Sequence, residues 1–132
     1  MDQPLHRYAC QIVFADTDAS GWMHFSNIFR YVEAAEHDYL DACGVLVFDH
    51  GQGGWPRVKV SCEYKKPLVA GDKIEVQLAI SEIGDSSMSW QFEVMDVRGE
   101  LVAFGGMTTV RVDQTGKPQT ITSEERKALS AN

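Results

Sequence analysis

The sequence predicts one α+β domain over residues 1–132, in which an antiparallel sheet of about five strands packs against a single long helix. Apolar side chains in residues 27–43 recur at three- and four-residue spacings, which is typical of a helix with one buried face. The segments before and after this helix alternate apolar and polar side chains, which indicates strands. The later strands are joined by short turns, as expected for antiparallel neighbours.

The elements follow in a simple order along the chain. A first strand over residues 7–15 leads to the helix, for which Ser26 is the expected N-cap and Gly44 the expected terminator. A glycine-rich connection over residues 49–56 comes next. The remaining segments predict four strands and a short final helix, over residues 57–66, 73–83, 88–97, 101–112 and 122–129. Because one helix cannot cover both faces of such a sheet, we expect an apolar outer strip and self-association as a dimer or tetramer.

Composition excludes several classes of protein. The chain has 132 residues, of which 44% are hydrophobic, and a net charge of −7, which argues against binding to nucleic acid. No stretch approaches the roughly 18 apolar residues of a membrane span, and the first residues lack the pattern of a secretory signal. Cys10, Cys43 and Cys62 are widely spaced, so we expect no disulfide framework, no metal site and no cofactor, in a cytoplasmic protein.

The junction between the first strand and the helix, Phe14 to Asn27, contains two acids, a serine and a glycine. A calcium loop is one interpretation of Asp16-Thr17-Asp18-Ala19-Ser20-Gly21, but the twelfth position is Asn27 instead of a bidentate glutamate. A second interpretation is a purely structural turn that precedes the helix. A third is catalytic, because a carboxylate beside the free N–H groups of a helix start can act while an oxyanion is held.

Two motifs resemble those of hotdog-fold acyl-CoA thioesterases of the 4-hydroxybenzoyl-CoA thioesterase and YbgC group. The first is the run FADTDASGWMHFSNIFRYVEAAEHDYL, in which two acids and a glycine lead into a long helix that carries another acid. The second is YKKPLVAGD at residues 64–72, which resembles the family's turn between its second and third strands. The resemblance covers nearly the whole chain, and it implies a sheet wrapped around one helix, with active sites at a dimer interface.

The resemblance implies the roles of four residues in the hydrolysis of a thioester. Asp18 corresponds to the catalytic carboxylate, acting as nucleophile or as general base toward water, and the Phe25 backbone N–H corresponds to the oxyanion donor. Gly21 would let the chain approach the thioester, and Glu33 would orient water or a polar acyl end. An alternative for Glu33 is a buried acid paired with Arg30 or the backbone. For Asp16 we favour a role in fixing the turn over one in raising the pKa of Asp18.

A further set of residues is expected to contact the substrate. Trp22 and Met23 would line an acyl tunnel, together with Phe25, Phe48 and Trp55. The alternative for each of them is ordinary packing in the core or at a dimer interface. His24 lies beside them in the turn, and we interpret it as a surface or capping histidine because the related histidine of the YbgC branch falls one residue later. The turn at residues 84–87 lacks the cations that contact the CoA nucleotide in the 4-hydroxybenzoyl branch. The cations left for the CoA phosphates are Arg57, Lys59, Lys65 and Lys66.

The sequence therefore predicts a cytoplasmic, homo-oligomeric acyl-CoA thioesterase that uses neither metal nor cofactor. Two alternatives stay open, a thioesterase acting on acyl carrier protein and a non-catalytic module that binds acyl-CoA. An intact Asp18 disfavours the binding module, since a pure binder needs no poised carboxylate. A hotdog hydratase or dehydratase is remote because the required spacing of aspartate and histidine is missing from the first half of the chain.

Overall fold

A computed structural model describes residues 1–130, and its core is a five-stranded antiparallel sheet in the order β1-β5-β6-β7-β4. A hairpin of two short strands, β2 and β3, lies outside this sheet, and each of its strands has two residues. The strands are β1 (His6–Gln11), β2 (Phe48–Asp49), β3 (Gly53–Gly54), β4 (Arg57–Tyr64), β5 (Lys73–Ile83), β6 (Ser87–Asp96) and β7 (Leu101–Val110). The helices are α1 (Ile28–Ala42) and α2 (Ser123–Ser130), with 3-10 turns at Phe14–Asp16 and Phe25–Asn27. The predicted α+β architecture is confirmed.

Helix α1 lies on one face of the sheet, and its apolar stripe forms the core with that face. Trp90 and Phe92 of β6 are almost fully buried, and the Tyr39 ring meets the Trp90 ring edge to face at 6.0 Å. On the opposite face, β5 and β6 carry Gln77 and Glu93 at paired positions. The expected apolar strip on that face is therefore wrong. The exposed large apolar side chains lie instead at the strand–helix junction, along β4, at Phe48 in β2, and in turns at Val69 and Val97.

The ends of α1 differ from the sequence prediction at one side only. The Gly44 terminator is confirmed: its φ is 72°, its N–H donates to the Asp41 carbonyl, and the Val45 N–H donates to the Leu40 carbonyl. The Ser26 cap is wrong, because Ser26 lies inside the 3-10 turn that precedes the helix. Asn27 takes the N-cap position without a side-chain cap, since its amide donates to the Asp16 carbonyl at 2.9 Å.

Two further boundaries were predicted too simply. Strand β1 ends at Gln11 instead of residue 15, because the Val13 N–H donates to the Tyr31 hydroxyl at 3.1 Å and the chain leaves the sheet. The glycine-rich connection contains the β2–β3 hairpin, which sequence reasoning missed. Gly53 has a φ of 98° and a Cβ there would lie 2.0 Å from the Val112 carbonyl oxygen, so this close approach requires glycine.

The final helix forms as predicted, with a reciprocal cap at its start. The Glu125 N–H donates to the Thr122 hydroxyl and the Thr122 N–H donates to the Glu125 carboxylate, both at 3.0 Å. Neither helix of residues 1–130 has the length and apolar character that crossing a bilayer requires.

Candidate active site at the strand–helix junction

The junction folds back on itself as a small closed loop. Thr17 pairs with Met23 in an antiparallel bridge, and the Asp18 N–H donates to the Trp22 carbonyl at 3.0 Å. Gly21 closes the turn with a φ of 86°, and a Cβ there would meet nothing within 4 Å. Backbone conformation, not lack of space, therefore requires glycine in this turn.

Asp18 lies at the exposed tip of this loop, and each of its carboxylate oxygens has a hydrogen-bond partner. Its Oδ1 accepts hydrogen bonds from the Ser20 N–H at 2.8 Å and from the Ser20 hydroxyl, while Oδ2 lies 3.2 Å from His24 Nδ1. The hydrogen bonds from Ser20, followed by that from His24, hold the pKa of Asp18 below its usual value. The side chain remains 41% exposed. An ionised carboxylate is thus fixed in orientation and open to a ligand.

His24 contacts the Asp18 carboxylate, a role that the sequence did not suggest. Its ring packs against the Phe25 ring with centroids 4.9 Å apart, and it makes no side-chain cap for the 3-10 turn that follows. The capping interpretation is therefore wrong, although half of the side chain is exposed as expected of a surface histidine. The contact between His24 and Asp18 joins residues six positions apart and requires the loop to fold back on itself. No spacing in the sequence revealed this fold-back.

Asp16, two residues before Asp18, is buried and has a different role. It is 3% exposed, and its carboxylate accepts hydrogen bonds from Arg30 and, at 2.5 Å, from the Tyr31 hydroxyl. Its carbonyl also accepts the His24 N–H at 2.9 Å. Asp16 thereby ties the loop to the first turn of α1, in agreement with the role in the turn that we favoured.

The Phe25 N–H begins the 3-10 turn that leads into α1. No hydrogen bond joins this N–H to an acceptor within residues 1–130, whereas the Phe25 carbonyl accepts the Tyr64 hydroxyl at 2.5 Å. Free N–H groups at a helix start carry partial positive charge. The Phe25 amide is therefore available for a negatively charged atom.

The second sequence motif, residues 64–72, braces this loop. The Leu68 carbonyl accepts the Met23 N–H at 2.7 Å, and Ile12 exchanges backbone hydrogen bonds with Gly71 and Asp72 at 2.8 and 2.9 Å. Tyr64 supplies the side-chain contact to Phe25. Sequence reasoning found both motifs but not their contact, which follows from the pairing of Gln11 with Lys73 at the start of β5.

A second charged cluster lies further along α1. Arg57 donates to Glu33 at 2.9 Å and to Glu36 at 2.5 Å, and burial raises the pKa of Glu36 and lowers that of His37. Glu33 is half exposed and paired with Arg57, so the alternative of a buried acid paired with Arg30 or the backbone is wrong. Glu36, 1% exposed with Oε2 lacking a hydrogen bond, was missed, although an acid on the apolar stripe is a visible signal.

A cavity of about 560 Å³ adjoins this cluster, where the β2–β3 hairpin meets the start of β4. Apolar walls come from Phe48 and Trp55, and Glu33, His37 and Arg57 form its polar side. Trp22 and Met23, which were predicted to share a tunnel with these aromatic residues, are not among the lining residues within this protomer. Trp22 is instead exposed beside Asp18.

The four predicted phosphate-binding cations fall into two groups. Arg57 is committed to its glutamates, and Lys66 forms ion pairs with Asp96 and Glu100 that raise the pKa of the lysine. Lys59 and Lys65 form no ion pair within the part of the chain that the structure covers, and Lys65 Nζ lies 5.5 Å from the centre of the Phe104 ring. No cluster of metal-ligating side chains occurs among residues 1–130.

A sequence profile of the thioesterase-like superfamily matches residues 12–129. The chain is 30% identical over 112 residues to a 1,4-dihydroxy-2-naphthoyl-CoA hydrolase of Synechococcus sp. (strain CC9605), an alignment that covers 79% of this chain and 74% of the relative. Other relatives carry the same name.

Solved structures agree with the profile. A gentisyl-coenzyme A thioesterase is similar with a TM-score of 0.86 at 26% identity, over 94% of this chain and 99% of that one. A 1,4-dihydroxy-2-naphthoyl-CoA thioesterase from Synechocystis gives a TM-score of 0.84 at 20% identity over 94% of both chains, which bears on the fold alone. The predicted hotdog fold is confirmed, while membership of the narrower 4-hydroxybenzoyl-CoA and YbgC group stays a prediction.

Proposed function

Because this chain belongs to the thioesterase-like superfamily, we propose that it hydrolyses an acyl-CoA thioester to the free acid and CoA, with Asp18 as the catalytic carboxylate. One observation carries the proposal: an exposed, ionised Asp18 lies in the same loop as the free N–H of Phe25. A carboxylate and an oxyanion donor are the two groups that cleavage of a thioester requires.

The reaction proceeds by addition to the thioester carbonyl. Either Asp18 attacks the carbonyl carbon and water then cleaves the mixed anhydride, or Asp18 takes a proton from the water that attacks. The C–S bond breaks, the thiolate of CoA leaves, and solvent protonates it. His24 holds Asp18 Oδ2 in place, and Gly21 gives the loop its turn.

The Phe25 N–H holds the negative charge that develops on the carbonyl oxygen. A donor of this kind contributes about 10² to 10³ in rate. The amide needs no rearrangement to act, because it has no internal acceptor to leave.

We propose that two copies of the chain pair through their β4 strands. Strand β4 is at the edge of the sheet, and it exposes Val58 by 63% and Val60 by 43%. Antiparallel pairing about a two-fold axis would bring the Arg57 end of one strand beside the Tyr64 end of the other. The cavity at Trp55 would then face the Phe25 loop of the partner, so that each acyl site takes walls from both protomers.

The acyl group that suits this arrangement is a hydroxylated aromatic ring, as in the names of the relatives above. Phe48 and Trp55 provide flat apolar walls, and the Glu33 carboxylate with Arg57 at the polar side would accept or donate hydrogen bonds to ring hydroxyls. Lys59 and Lys65 are free for the phosphates of CoA, with Lys66 and Arg57 less available because of their ion pairs.

Cytoplasmic location is part of the proposal. Cys10, Cys43 and Cys62 are all free thiols in the fold, as in proteins of a reducing compartment.

The proposal is tested by thiol release from a panel of short, long and hydroxylated aromatic acyl-CoAs, with wild type beside Asp18→Asn. We expect turnover on an aromatic thioester and its loss, by about 10³-fold or more, in a variant that keeps its fold and oligomeric state. Tight binding of acyl-CoA without turnover of any CoA or carrier-protein thioester would overturn the proposal in favour of a binding module.

A single turnover in ¹⁸O-water tests whether Asp18 acts as the nucleophile. Label in the Asp18 carboxylate indicates attack by the side chain, because water oxygen reaches Asp18 only when the mixed anhydride is cleaved at the aspartyl carbon.

A further inference from the structure

We propose that Tyr64 is a positioning residue for the oxyanion-binding amide of Phe25. This inference rests on the proposed function, since it assigns a residue that prepares the same site for the reaction. Sequence reasoning used Tyr64 only as the first letter of a turn motif and gave it no role.

The geometry concerns the two peptide groups on either side of the Phe25 Cα. The peptide before it is held because the His24 carbonyl accepts the Asn27 N–H at 2.9 Å. The peptide after it is held because the Phe25 carbonyl accepts the Tyr64 hydroxyl at 2.5 Å. With both carbonyls fixed, neither φ nor ψ of Phe25 can change freely, and the direction of the intervening N–H is set.

Tyr64 is suited to this role by its place in the fold. It is the last residue of β4, and that strand is hydrogen-bonded to β7 along its length. A rigid sheet strand therefore holds the hydroxyl, while Phe25 begins a short 3-10 turn and has an exposed ring. Burial raises the pKa of Tyr64 to about 12, so the hydroxyl remains protonated and able to donate at neutral pH.

A fixed donor matters more in the transition state than in the ground state. Oxyanion stabilisation depends on donors that already point to where charge develops, and small displacements of such groups lower rates strongly. Without the Tyr64 hydroxyl the peptide that carries the Phe25 N–H keeps only the bond from Asn27, so the direction of this N–H is held less tightly. The expected loss is therefore smaller than that from deleting the donor, about tenfold in kcat with KM changed by less than about twofold.

The first test is Tyr64→Phe, which removes one oxygen, with Tyr8→Phe as the matched control. Tyr8 lies in β1, and its hydroxyl has no hydrogen-bond partner among residues 1–130. We expect Tyr64→Phe to lose about tenfold in kcat on the best thioester while Tyr8→Phe stays within about twofold of wild type.

A second measurement separates positioning from general damage to the fold. A trifluoromethyl ketone analogue of the substrate hydrates to a tetrahedral centre, whereas the thioether analogue has no carbonyl oxygen. Tyr64→Phe should weaken binding of the ketone by about tenfold and leave binding of the thioether unchanged. Equal weakening of both ligands would show a structural role and overturn the inference.

If Tyr64→Phe fails to fold, 4-aminophenylalanine and 4-methylphenylalanine at position 64 provide a pair of equal size. The amino group can donate to the Phe25 carbonyl and should retain most of kcat, whereas the methyl group cannot. Equal rates for the two would overturn the inference. An active wild type whose kcat is unchanged by substitutions at position 64 refutes this inference alone. An inactive wild type refutes the proposed function and this inference with it.

Discussion

Replacing Asp16 by asparagine should destabilise the fold and spare the reaction, although a residue only two positions away is proposed to perform the chemistry. The carboxylate of Asp16 is buried and binds Arg30 and the Tyr31 hydroxyl, whereas that of Asp18 is 41% exposed. The two residues are both aspartates of the same turn and differ in burial, so comparing their asparagine variants separates an effect on stability from an effect on catalysis.

The magnitude follows from the two contacts that Asp16 makes. A hydrogen bond to a charged acceptor contributes about 1.5–3 kcal/mol against about 0.5–1.5 kcal/mol for a neutral one, so the bond from Tyr31 weakens by about 1–1.5 kcal/mol. Arg30 is 68% exposed, so its ion pair contributes at most about 1 kcal/mol. The total is about 2 kcal/mol, which lowers Tm by roughly 6–10 °C in a chain of this length.

The assay combines thermal unfolding with thiol release. Wild type, Asp16→Asn and Asp18→Asn are melted at one protomer concentration, because association would make Tm depend on concentration. Rates are measured well below the lowest Tm. We expect Asp16→Asn to melt early with kcat within about threefold of wild type, and Asp18→Asn to melt within about 2 °C of wild type without turnover.

A Tm of Asp16→Asn equal to that of wild type would refute the account of the buried contacts. A loss of kcat in Asp16→Asn as large as in Asp18→Asn would show that the two carboxylates act together in the chemistry.

Two further variants test the electrostatics of the chain. Ser20→Ala removes the hydroxyl that contributes most to the lowered pKa of Asp18, so the acid limb of kcat/KM should move to higher pH, with the rate at neutral pH unchanged; an unmoved limb would contradict this cause. Arg57→Gln leaves the buried Glu36 carboxylate without its cation and should cost about 2–4 kcal/mol at pH 8, measured by urea unfolding. Burial raises the pKa of Glu36 in the folded protein above its value in the unfolded chain. Between these two pKa values the folded state binds more protons than the unfolded state, so the deficit in the free energy of unfolding should shrink toward pH 5. A deficit independent of pH would refute this.

Sequence reasoning placed α1 and the main strands within a few residues of their observed bounds. Periodicity is a local property, and the side chains that alternate in β6 or recur in α1 are the ones that the core buries. The errors are also local in origin. Ser26 has the chemistry of a cap, but the 3-10 turn displaces the helix start past it, and β1 ends early because Tyr31 takes the Val13 N–H.

The candidate site was predicted as a set of residues, not as a set of contacts. The sequence selected Asp18, Gly21 and Phe25, and the structure places them in one loop with a free amide. The sequence did not select Tyr64 or Glu36 as members of any site. Tyr64 reaches Phe25 across 39 positions of the chain, a separation at which no periodic pattern carries information.

The sequence by itself determined the order of α1, α2 and the five strands of the main sheet, the α+β class and the position of the acid-rich turn before the helix, because each depends on neighbours within a few residues. Only the tertiary structure decided which acid is buried and which faces solvent, since alternation would place Asp16 and Asp18 on the same side. The 3-10 turn at Phe14–Asp16 breaks that alternation. The contacts with Arg30 and Tyr31 then bury Asp16, and Asp18 is left at the tip of the loop with Ser20 and His24.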